Sequence, residues 1–475
     1  MSIKTSDLSL KERLDKELGD VFTRQSIANA QDLLNKKRND VFEELGNYEE
    51  WREMAAAVRH HVLENLDYYL NQFAEKASEN GAHVTFTRTA KEATDAALEI
   101  LTNKGVKKAV KSKSMVTEEV GLNEALEEAG IEVIETDLGE YILQTDDHDK
   151  PSHIVIPALH KNRDRIREVF AAKKGYTGDN VPENITRFVR GLIRKEFLEA
   201  EVGITGCNFA VADTGTVTLV TNEGNGRFVT TAPKTQIVFM GMERIVPTFT
   251  ELDMIFSMLV RSAVGAKLTS YLSFITGPKG GEDRDGPEEL HIIIVDNGRS
   301  KVLESEFREV LRCIRCGTCM LECPAYRHIS GHGYGTLYPG PLGLALVPIL
   351  AGYEGYADVT KICSLCSACN DVCPVKIPLY ESIYEHRRVI AEDKGLVHGA
   401  EPFIMGMYGK VIGSSSLYDF DGKMARFSKY LPDIGPIKEW TRERELPEIT
   451  GKRFRDWFKK HESLQDSGES RGSDV

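Results

Sequence analysis

The sequence lacks the features that direct a chain to export, to a bilayer or to nucleic acid. Its N-terminal residues contain no apolar stretch of the kind that forms a secretory signal. The best apolar run, Pro341–Tyr353, is interrupted by glycine and by Pro348 and falls short of the roughly 20 residues of a membrane span. A net charge of −13 comes with no basic stripe for nucleic acid. These absences predict a soluble, cytoplasmic protein, peripheral to a membrane only through partners.

Cysteine is scarce outside one part of the chain. Eight of the nine cysteines lie in two runs, which read CIRCGTCMLECP and CSLCSACNDVCP. Each run has the spacing C-x2-C-x2-C-x3-C-P, which is typical of bacterial two-cluster ferredoxins. Two zinc sites or a disulfide framework are the alternatives, but zinc sites usually divide their ligands into two separated pairs. The runs therefore predict two [4Fe–4S] clusters as cofactors.

The spacing also predicts how the two runs share their ligands. Three thiolates at this spacing wrap one cluster, whereas the fourth, followed by proline, has left that turn and points to the other cluster. The first cluster is therefore predicted to be bound by Cys313, Cys316, Cys319 and Cys373. The second cluster is predicted to be bound by Cys363, Cys366, Cys369 and Cys323.

Four basic residues lie beside these ligands in the sequence. They are Arg312, Arg315, Arg327 and Lys376. Because a tetrathiolate cluster carries net negative charge, we expect these side chains to offset that charge and to raise the reduction potential.

The pattern of apolar residues divides the chain into four predicted domains. Residues 1–80 have helical periodicity, and their charged residues are expected to be solvated and functionally silent. Residues 81–300 alternate short strands with helices, which predicts an α/β domain with a largely parallel sheet. Residues 301–392 carry the cysteine runs, and residues 393–475 form a C-terminal extension with a disordered tail from Ser463 onward.

Several elements are predicted from short apolar runs. Within the α/β domain, strands are expected at Tyr141–Leu143, Ile154–Ile156 and Phe228–Thr231, among others. A helix at Glu304–Leu311 is expected to lead into the first cysteine run, and Leu342–Leu350 is expected to be a buried helix between the clusters.

Two segments of the α/β domain are candidate anion sites. The glycines of Gly215–Arg227 could bring the backbone close to an anion, or they could simply serve the turns of a β-meander. Lys111–Ser114 follows a strand and could hold an anion at a helix N-terminus, although a helix cap with solvated lysines is the favoured interpretation. Cys207, the ninth cysteine, is interpreted as a buried structural thiol.

The layout as a whole resembles the lactate utilization protein B family. The resemblance rests on the segments VKSKSMVTEEVGLNEALEEAGIEVIETDLGEYILQ and AVADTGTVTLVTNEGNGRFVTTAP together with the two cysteine runs, and it covers essentially the entire chain. It implies a lactate-utilisation α/β domain, similar to sugar-phosphate isomerase and CoA-transferase-like folds. It also implies an α-helical ferredoxin-like domain with two clusters, similar to those of succinate dehydrogenase and heterodisulfide reductase subunits.

The resemblance further implies an iron–sulfur electron-transfer subunit in the oxidation of L-lactate to pyruvate. Two sister subunits are implied as partners, one with cysteine-rich repeats and one with the α/β domain alone. No flavin or nicotinamide fingerprint is visible in the chain, so a partner or a further cofactor must take part in removing a hydride equivalent. Whether the chain is itself an enzyme stays open at this point.

A second hypothesis makes the α/β domain a catalyst of acyl or CoA transfer. Glu223 in TNEGNG resembles the glutamate–glycine segment that carries the nucleophilic carboxylate of CoA transferases. The clusters would then be structural. An exposed turn glutamate is the simpler interpretation of the same residue.

Overall fold

The structure is a computed structural model that describes residues 3–397, 401–424, 438, 441, 444–445 and 453–466. The chain divides into two units, Met1–Lys394 and Gly395–Val475, which are described separately. The finer division of the first unit at residues 80 and 300 stays a prediction.

Four helices open the first unit. Ser9 and Glu12 form a capping box at the start of the first helix, and the Asp20 side chain accepts the N–H of Thr23 over 2.9 Å at the start of the second. The helices are α1 (Leu10–Gly19), α2 (Val21–Leu45), α3 (Tyr48–Glu64) and α4 (Leu66–Glu79).

Ten strands follow and form two sheets. They are β1 (His83–Thr87), β2 (Lys108–Lys111), β3 (Glu132–Glu135), β4 (Val202–Thr205), β5 (Phe209–Val211), β6 (Thr216–Thr221), β7 (Thr235–Gly241), β8 (Ile245–Val246), β9 (Tyr271–Ile275) and β10 (Glu289–Val295). The first sheet has the order β1-β10-β7-β4-β2-β3, and all its strands are parallel. The second has the order β8-β5-β6-β9 and is mixed. The predicted α/β class is therefore confirmed.

Nine helices are interleaved with these strands or follow them. They are α5 (Ala90–Asn103), α6 (Met115–Val120), α7 (Leu122–Glu128), α8 (Leu138–Thr145), α9 (Arg163–Lys174), α10 (Pro182–Glu199), α11 (Asn225–Thr231), α12 (Phe249–Val264) and α13 (Arg299–Glu304). Strand β7 is buried along its whole length, as expected of a parallel strand covered by helices on both faces.

Three predicted strands are wrong. Tyr141–Leu143 lies in α8, which begins where the Asp137 side chain accepts the N–H of Glu140 over 3.2 Å. Phe228–Thr231 lies in α11, and Ile154–Ile156 is an irregular segment of bends. Apolar runs of three or four residues contain too little periodicity to distinguish a strand from a buried helical turn.

The segment with the cysteine runs is helical. Its helices are α14 (Thr318–Leu321), α15 (Pro324–Ile329), α16 (Gly340–Ala351), α17 (Tyr353–Tyr356), α18 (Ala368–Val372) and α19 (Leu379–Arg388). Short 3-10 turns occupy Arg308–Arg312, His332–Tyr334 and Asp358–Ile362, and a π-helical turn occupies Val389–Asp393.

Helix α16 confirms the predicted buried helix, because nearly all of its side chains are buried despite the internal Pro348. The predicted helix at Glu304–Leu311 is only partly correct. Helix α13 ends at Glu304, Ser305 is extended, and a 3-10 turn then leads to the first cysteine run. The Ser305 hydroxyl accepts the N–H of Phe307 over 3.1 Å, which fixes this break in the helix.

The second unit contains α20 (Glu401–Gly413), α21 (Ser415–Met424) and α22 (Phe454–Asp466). Part of the predicted disordered tail, residues 463–466, is helical, and residues 467–475 lie outside the described residues. Among the described residues of both units, no helix is both long and apolar enough to cross a membrane.

Candidate iron–sulfur site

The two cysteine runs adopt the same turn. The N–H of Arg315 donates to Sγ of Cys313, and the N–H of Leu365 donates to Sγ of Cys363, each over 3.3 Å. In both runs, the residues immediately before and after the second cysteine have positive φ. These residues are Arg315 (61°) and Gly317 (78°) in the first run and Leu365 (57°) and Ser367 (60°) in the second. A residue with a Cβ loses about 1–2 kcal/mol when it adopts positive φ. The same strained conformation at matching positions of both runs therefore indicates a turn that is needed for function.

A short helix carries each run from its third cysteine to its fourth. Helix α14 ends just before Cys323, and helix α18 ends just before Cys373. After Cys323 the chain enters α15, whereas after Cys373 it turns at Lys376, where φ is 50°. The N–H of Ile377 then donates back to Sγ of Cys373 over 3.4 Å.

One cavity brings the two runs together. Its wall contains Cys313, Cys316 and Cys319 from the first run and Cys373 from the second. The rest of the wall is mostly apolar and contains Ile314, Gly317, Thr318, Leu342, Pro374, Val375, Ile377 and Leu379. The four residues of the first predicted ligand set therefore share one apolar cavity, although their binding of one cluster stays a prediction.

The remaining four cysteines are also neighbours. Burial, together with the nearby thiols of Cys363, Cys323 and Cys366, raises the pKa of Cys369 to about 12. Cys366 is exposed, whereas Cys316 at the matching position of the first run is buried. The first group is thus mostly buried, with only Cys313 half-buried, whereas the second group reaches the surface.

Both groups fit the cofactor that the spacing predicts. Four thiols in apolar surroundings are the donor set of a [4Fe–4S] cluster, and backbone N–H groups directed at sulfur stabilise the negative charge of such a cluster. No disulfide joins any of the nine cysteines.

Helix α3 of the first predicted domain binds backbone carbonyl groups of both cluster turns. Arg52 donates from Nε to the carbonyl oxygen of Cys373 over 3.0 Å and from Nη2 to that of Asn370 over 2.9 Å. Arg59, which is fully buried, donates to the carbonyl oxygens of Leu311 and Arg312 over 3.0 and 3.2 Å. These arginines therefore fix where the turns lie.

Helix α2 does the same for the end of the first run. Gln31 donates to the carbonyl oxygens of Met320 and Cys323 over 2.9 and 3.2 Å. Arg38 donates to the hydroxyl of Thr318 over 2.9 Å, and its guanidinium pairs with Glu322 over 2.5 Å. The expectation that these charged residues are solvated was wrong for Arg38, Arg52 and Arg59, all of which are buried.

The four basic residues predicted to offset cluster charge all face carboxylates. Lys376 lies 2.7 Å from Glu49, and Arg327 lies 2.7 Å from Asp32. Arg312 pairs with Glu309, and Arg315 lies 3.6 Å from Glu243. Their charge is therefore shared with protein carboxylates and is not reserved for the clusters.

A buried ionic network connects the α/β domain to the first run. Arg299 donates to Glu243 over 2.6 Å and to both carboxylate oxygens of Glu119 over 2.8 and 2.9 Å. The hydroxyl of Tyr338 donates to Glu119 over 2.6 Å, and the Arg315 guanidinium lies 4.6 Å from the centre of the Tyr338 ring. Burial alone would raise the pKa of Glu243, but Arg299 and Arg315 lower that pKa to about 2.

The segment Lys111–Ser114 is a helix cap in which Lys111 is buried and Lys113 is partly exposed. The Ser114 side chain accepts the N–H of Thr117 over 3.3 Å at the start of α6, as the favoured interpretation expects. The expectation that both lysines are solvated is wrong for Lys111. Lys111 is fully buried between Glu118 and Glu135, with its Nζ 2.9 and 2.5 Å from their oxygens, and Lys113 donates to the carbonyl of Val155 over 2.7 Å. Both ammonium groups are thus occupied by protein oxygens.

The segment Gly215–Arg227 does not form one anion-binding loop. Gly215 lies in the turn between β5 and β6, where a Cβ would stand 2.3 Å from the backbone nitrogen of Ala77. Gly224 precedes α11 at a φ of 78°. The glycines therefore serve separate turns, and the β-meander interpretation holds only up to β6, because a helix follows.

Glu223 and Cys207 occupy different surroundings. The Glu223 carboxylate accepts the N–H of Leu138 over 3.0 Å at the start of α8. Loss of water around this carboxyl group, followed by the charge of Asp137, raises the pKa of Glu223 to about 7, although the residue as a whole is exposed. Cys207 is half-buried and not fully buried as predicted. Loss of water around its thiol raises the pKa of Cys207 to about 12, which fits a structural thiol.

Comparison with known proteins identifies three family matches along the chain. Residues 70–295 match the LUD domain, residues 309–377 match a 4Fe-4S dicluster domain, and residues 380–463 match the lactate utilisation protein B C-terminal region. The dicluster match agrees with the eight grouped thiols, and the protein holds two [4Fe–4S] clusters.

Relatives match over nearly the full length. The chain is 53% identical to the uncharacterized electron transport protein YkgF of Escherichia coli strain K12, covering 98% of this chain and 99% of the relative. It is 53% identical to lactate utilization protein B of Shouchella clausii, covering 97% and 98%. It is 50% identical to lactate utilization protein B of Bacillus subtilis strain 168, covering 98% and 99%.

Proposed function

The chain belongs to the lactate utilization protein B family, and from this we propose that it is an iron–sulfur electron-transfer subunit in the oxidation of L-lactate to pyruvate. The observation that carries the proposal is the grouping of eight thiols in a chain whose full-length relatives bear that name. Oxidation of lactate to pyruvate releases two electrons and two protons. Two clusters that each accept one electron can together take both electrons.

We further propose that the ligand sets cross between the runs. Cys313, Cys316, Cys319 and Cys373 would bind the first cluster, and Cys363, Cys366, Cys369 and Cys323 the second. The shared cavity of the first four residues supports this assignment. For the second set, the support is that the thiols of Cys363, Cys323 and Cys366 lie close enough to Cys369 to raise its pKa.

The positions of the two groups favour a direction for the relay. Three of the four cysteines of the first group are buried, and Cys313 is half-buried. This group lies next to residues of the α/β domain, since Arg244 donates to the carbonyl oxygen of Cys313 over 2.7 Å. The second group includes the exposed Cys366. We infer that electrons enter at the buried cluster and leave to an acceptor through the surface around Cys366.

Two sister subunits are part of the proposal. One would carry cysteine-rich repeats and the other the α/β domain alone. A partner is needed because single-electron clusters do not by themselves remove a hydride equivalent from a hydroxy acid. The chain would then be a partner-dependent subunit of an L-lactate dehydrogenase complex.

The test is reduction of the clusters by substrate. The subunit is purified anaerobically, alone and with both sister subunits, and the visible absorption and EPR spectra are recorded after addition of L-lactate. We expect no bleaching in the subunit alone and bleaching in the complex, with D-lactate as the control substrate and dithionite as the control for intact clusters.

Two results would contradict the proposal. Bleaching of the isolated subunit by L-lactate would assign the oxidation site to this chain. A complete complex that dithionite bleaches but L-lactate does not would remove the role in lactate oxidation.

A further inference from the structure

The irregular segment between α8 and α9 packs directly on the first cysteine run. The carbonyl oxygen of Ser152 accepts the hydroxyl of Tyr326 over 2.7 Å, just beyond the fourth cysteine of that run. A Cβ added at Gly331 would stand 2.0 Å from the same oxygen. His153, which follows Ser152, is 1% exposed and lies against the turn that contains Gly317.

The hydrogen bonds of His153 determine which ring nitrogen carries the proton. Its Nδ1 accepts the N–H groups of Val155 and Ile156, each over 3.1 Å. A nitrogen that accepts two hydrogen bonds carries no hydrogen, so the hydrogen of the neutral ring is on Nε2. The structure thus contains a buried N–H donor at Nε2.

This donor has no hydrogen-bond partner among the residues that the structure describes. An unsatisfied buried donor destabilises the folded protein, and most buried polar groups in native proteins have a partner. A hydrogen-bond acceptor that is not part of the polypeptide would explain why this donor has no partner in the chain.

Gly317 allows the ring to come this close. It lies directly after Cys316 at a φ of 78°, and a Cβ there would stand 3.0 Å from Cε1 and 3.3 Å from Nε2 of His153. The matching residue of the second run, Ser367, keeps the positive φ but has a side chain. The first run therefore has a glycine where the His153 ring contacts the turn, and the second run does not.

We propose that Nε2–H of His153 donates a hydrogen bond to the cluster bound by the first ligand set and raises the reduction potential of that cluster. An N–H donor stabilises the reduced state, which carries the larger negative charge. His153 is then a tuning residue supplied by the α/β domain to one cluster only. The inference rests on the crossed ligand sets of the proposed function.

The substitutions separate the two nitrogens of the ring. His153→Asn places an amide oxygen near the Nδ1 position, where it keeps the acceptor for Val155 and Ile156 but removes the donor. His153→Gln places an amide N–H near the Nε2 position and keeps the donor. The exposed His328, five residues after Cys323, gives the matched control His328→Asn.

The readout is an EPR-monitored redox titration of the anaerobic protein with both clusters loaded. We expect His153→Asn to lower the reduction equilibrium constant of the first cluster about tenfold, which is about 59 mV for a one-electron couple. The second cluster and the His328→Asn control should keep their potentials, and His153→Gln should keep most of the wild-type value. An unchanged first cluster in His153→Asn, or an equal shift of both clusters, overturns the proposal.

A second measurement leaves His153 unchanged and uses Cys316→Ser only to identify the signal of the first cluster. Wild-type protein labelled with ¹⁵N only in histidine is reduced and studied by pulsed EPR. A ¹⁵N coupling is expected for the cluster whose signal Cys316→Ser perturbs, and no such coupling for the other cluster. Its absence from both clusters overturns the hydrogen bond, and a coupling only at the cluster that Cys316→Ser leaves unchanged overturns the assignment of this donor to the first cluster.

Discussion

Arg52 of α3 donates a hydrogen bond to the carbonyl oxygen of Cys373, although 321 positions separate the two residues in the chain. The same guanidinium donates to the carbonyl oxygen of Asn370. An N-terminal helix therefore holds the last cysteine of the second run in place, and this cysteine lines the cavity of the first run. The cluster region depends on the start of the chain as well as on its own sequence.

Removing this guanidinium should loosen the first cluster. Arg52→Ala leaves two carbonyl oxygens without their donor, and each such loss costs about 1–3 kcal/mol. We expect a loss of roughly 3 kcal/mol in anaerobic urea unfolding and faster release of iron to a chelator. Lys36→Ala on the exposed side of α2 is the control and should match the wild type. Equal iron release from Arg52→Ala and the wild type would show that the helix does not support the site.

The ionic network around Glu243 predicts a loss of stability in acid. The pKa of Glu243 is lowered to about 2 in the folded protein, below the ordinary value of about 4.3. A lowered pKa contributes stability above the ordinary value, and this contribution is lost as the pH falls from about 5 towards 2. It amounts to about 3 kcal/mol at neutral pH.

Glu243→Gln tests this contribution. The variant should be less stable than the wild type in urea at pH 7 and by nearly as much at pH 5. The difference should fall to about half at pH 3 and be nearly lost at pH 2. Comparing the two proteins at each pH cancels any common effect of acid on the clusters. The exposed Glu282→Gln is the control. A difference that is independent of pH would mean that the charge of Glu243 does not stabilise the fold.

The cluster ligands and the class of the fold were predictable from the sequence. The eight cysteines and their spacing are in the sequence, and so is the alternation of strands and helices that makes the sheet parallel. The partners of α2 and α3 were not predictable, because Arg38 and Thr318 are 280 positions apart.

A signal for these partners was nevertheless present. Ile27, Leu34 and Val41 form the buried stripe of α2, and Gln31 and Arg38 fall on that stripe at spacings of three and four residues. A polar residue on the buried face of a helix needs a buried partner, which periodicity alone does not identify. The predictions of three short strands were wrong for a related reason, because the tertiary surroundings determine the secondary structure of an apolar run of three or four residues.

Glu223 separates the electron-transfer function from the acyl-transfer hypothesis. Its carboxylate accepts the N–H of Leu138, and glutamine retains an oxygen that can accept the same bond. We expect Glu223→Gln to keep its clusters and to support lactate-driven bleaching in the complex at the wild-type rate. CoA-thioester turnover by the iron-free wild type, abolished in Glu223→Gln and kept in Glu282→Gln, would favour the alternative.

The crossed ligand sets predict which substitutions affect the same cluster. After the third cysteine of each run, a short helix carries the chain away from the turn that faces its own cluster. The fourth sulfur is then free to bind the other cluster, as in two-cluster ferredoxins. Cys323→Ser and Cys366→Ser should therefore perturb one cluster, and Cys373→Ser and Cys316→Ser should perturb the other.

EPR and Mössbauer spectra of the four variants distinguish the two arrangements, because a serine ligand changes the spectrum of the cluster that it binds. Cys207→Ser is the control, since Cys207 lies outside both runs and should leave about eight irons and both spectra intact. If Cys323→Ser instead perturbs the same cluster as Cys316→Ser, each run holds its own cluster. The cavity that joins Cys373 to the first run argues against that outcome, because a run that bound its own cluster would not need its last cysteine in the other run's cavity.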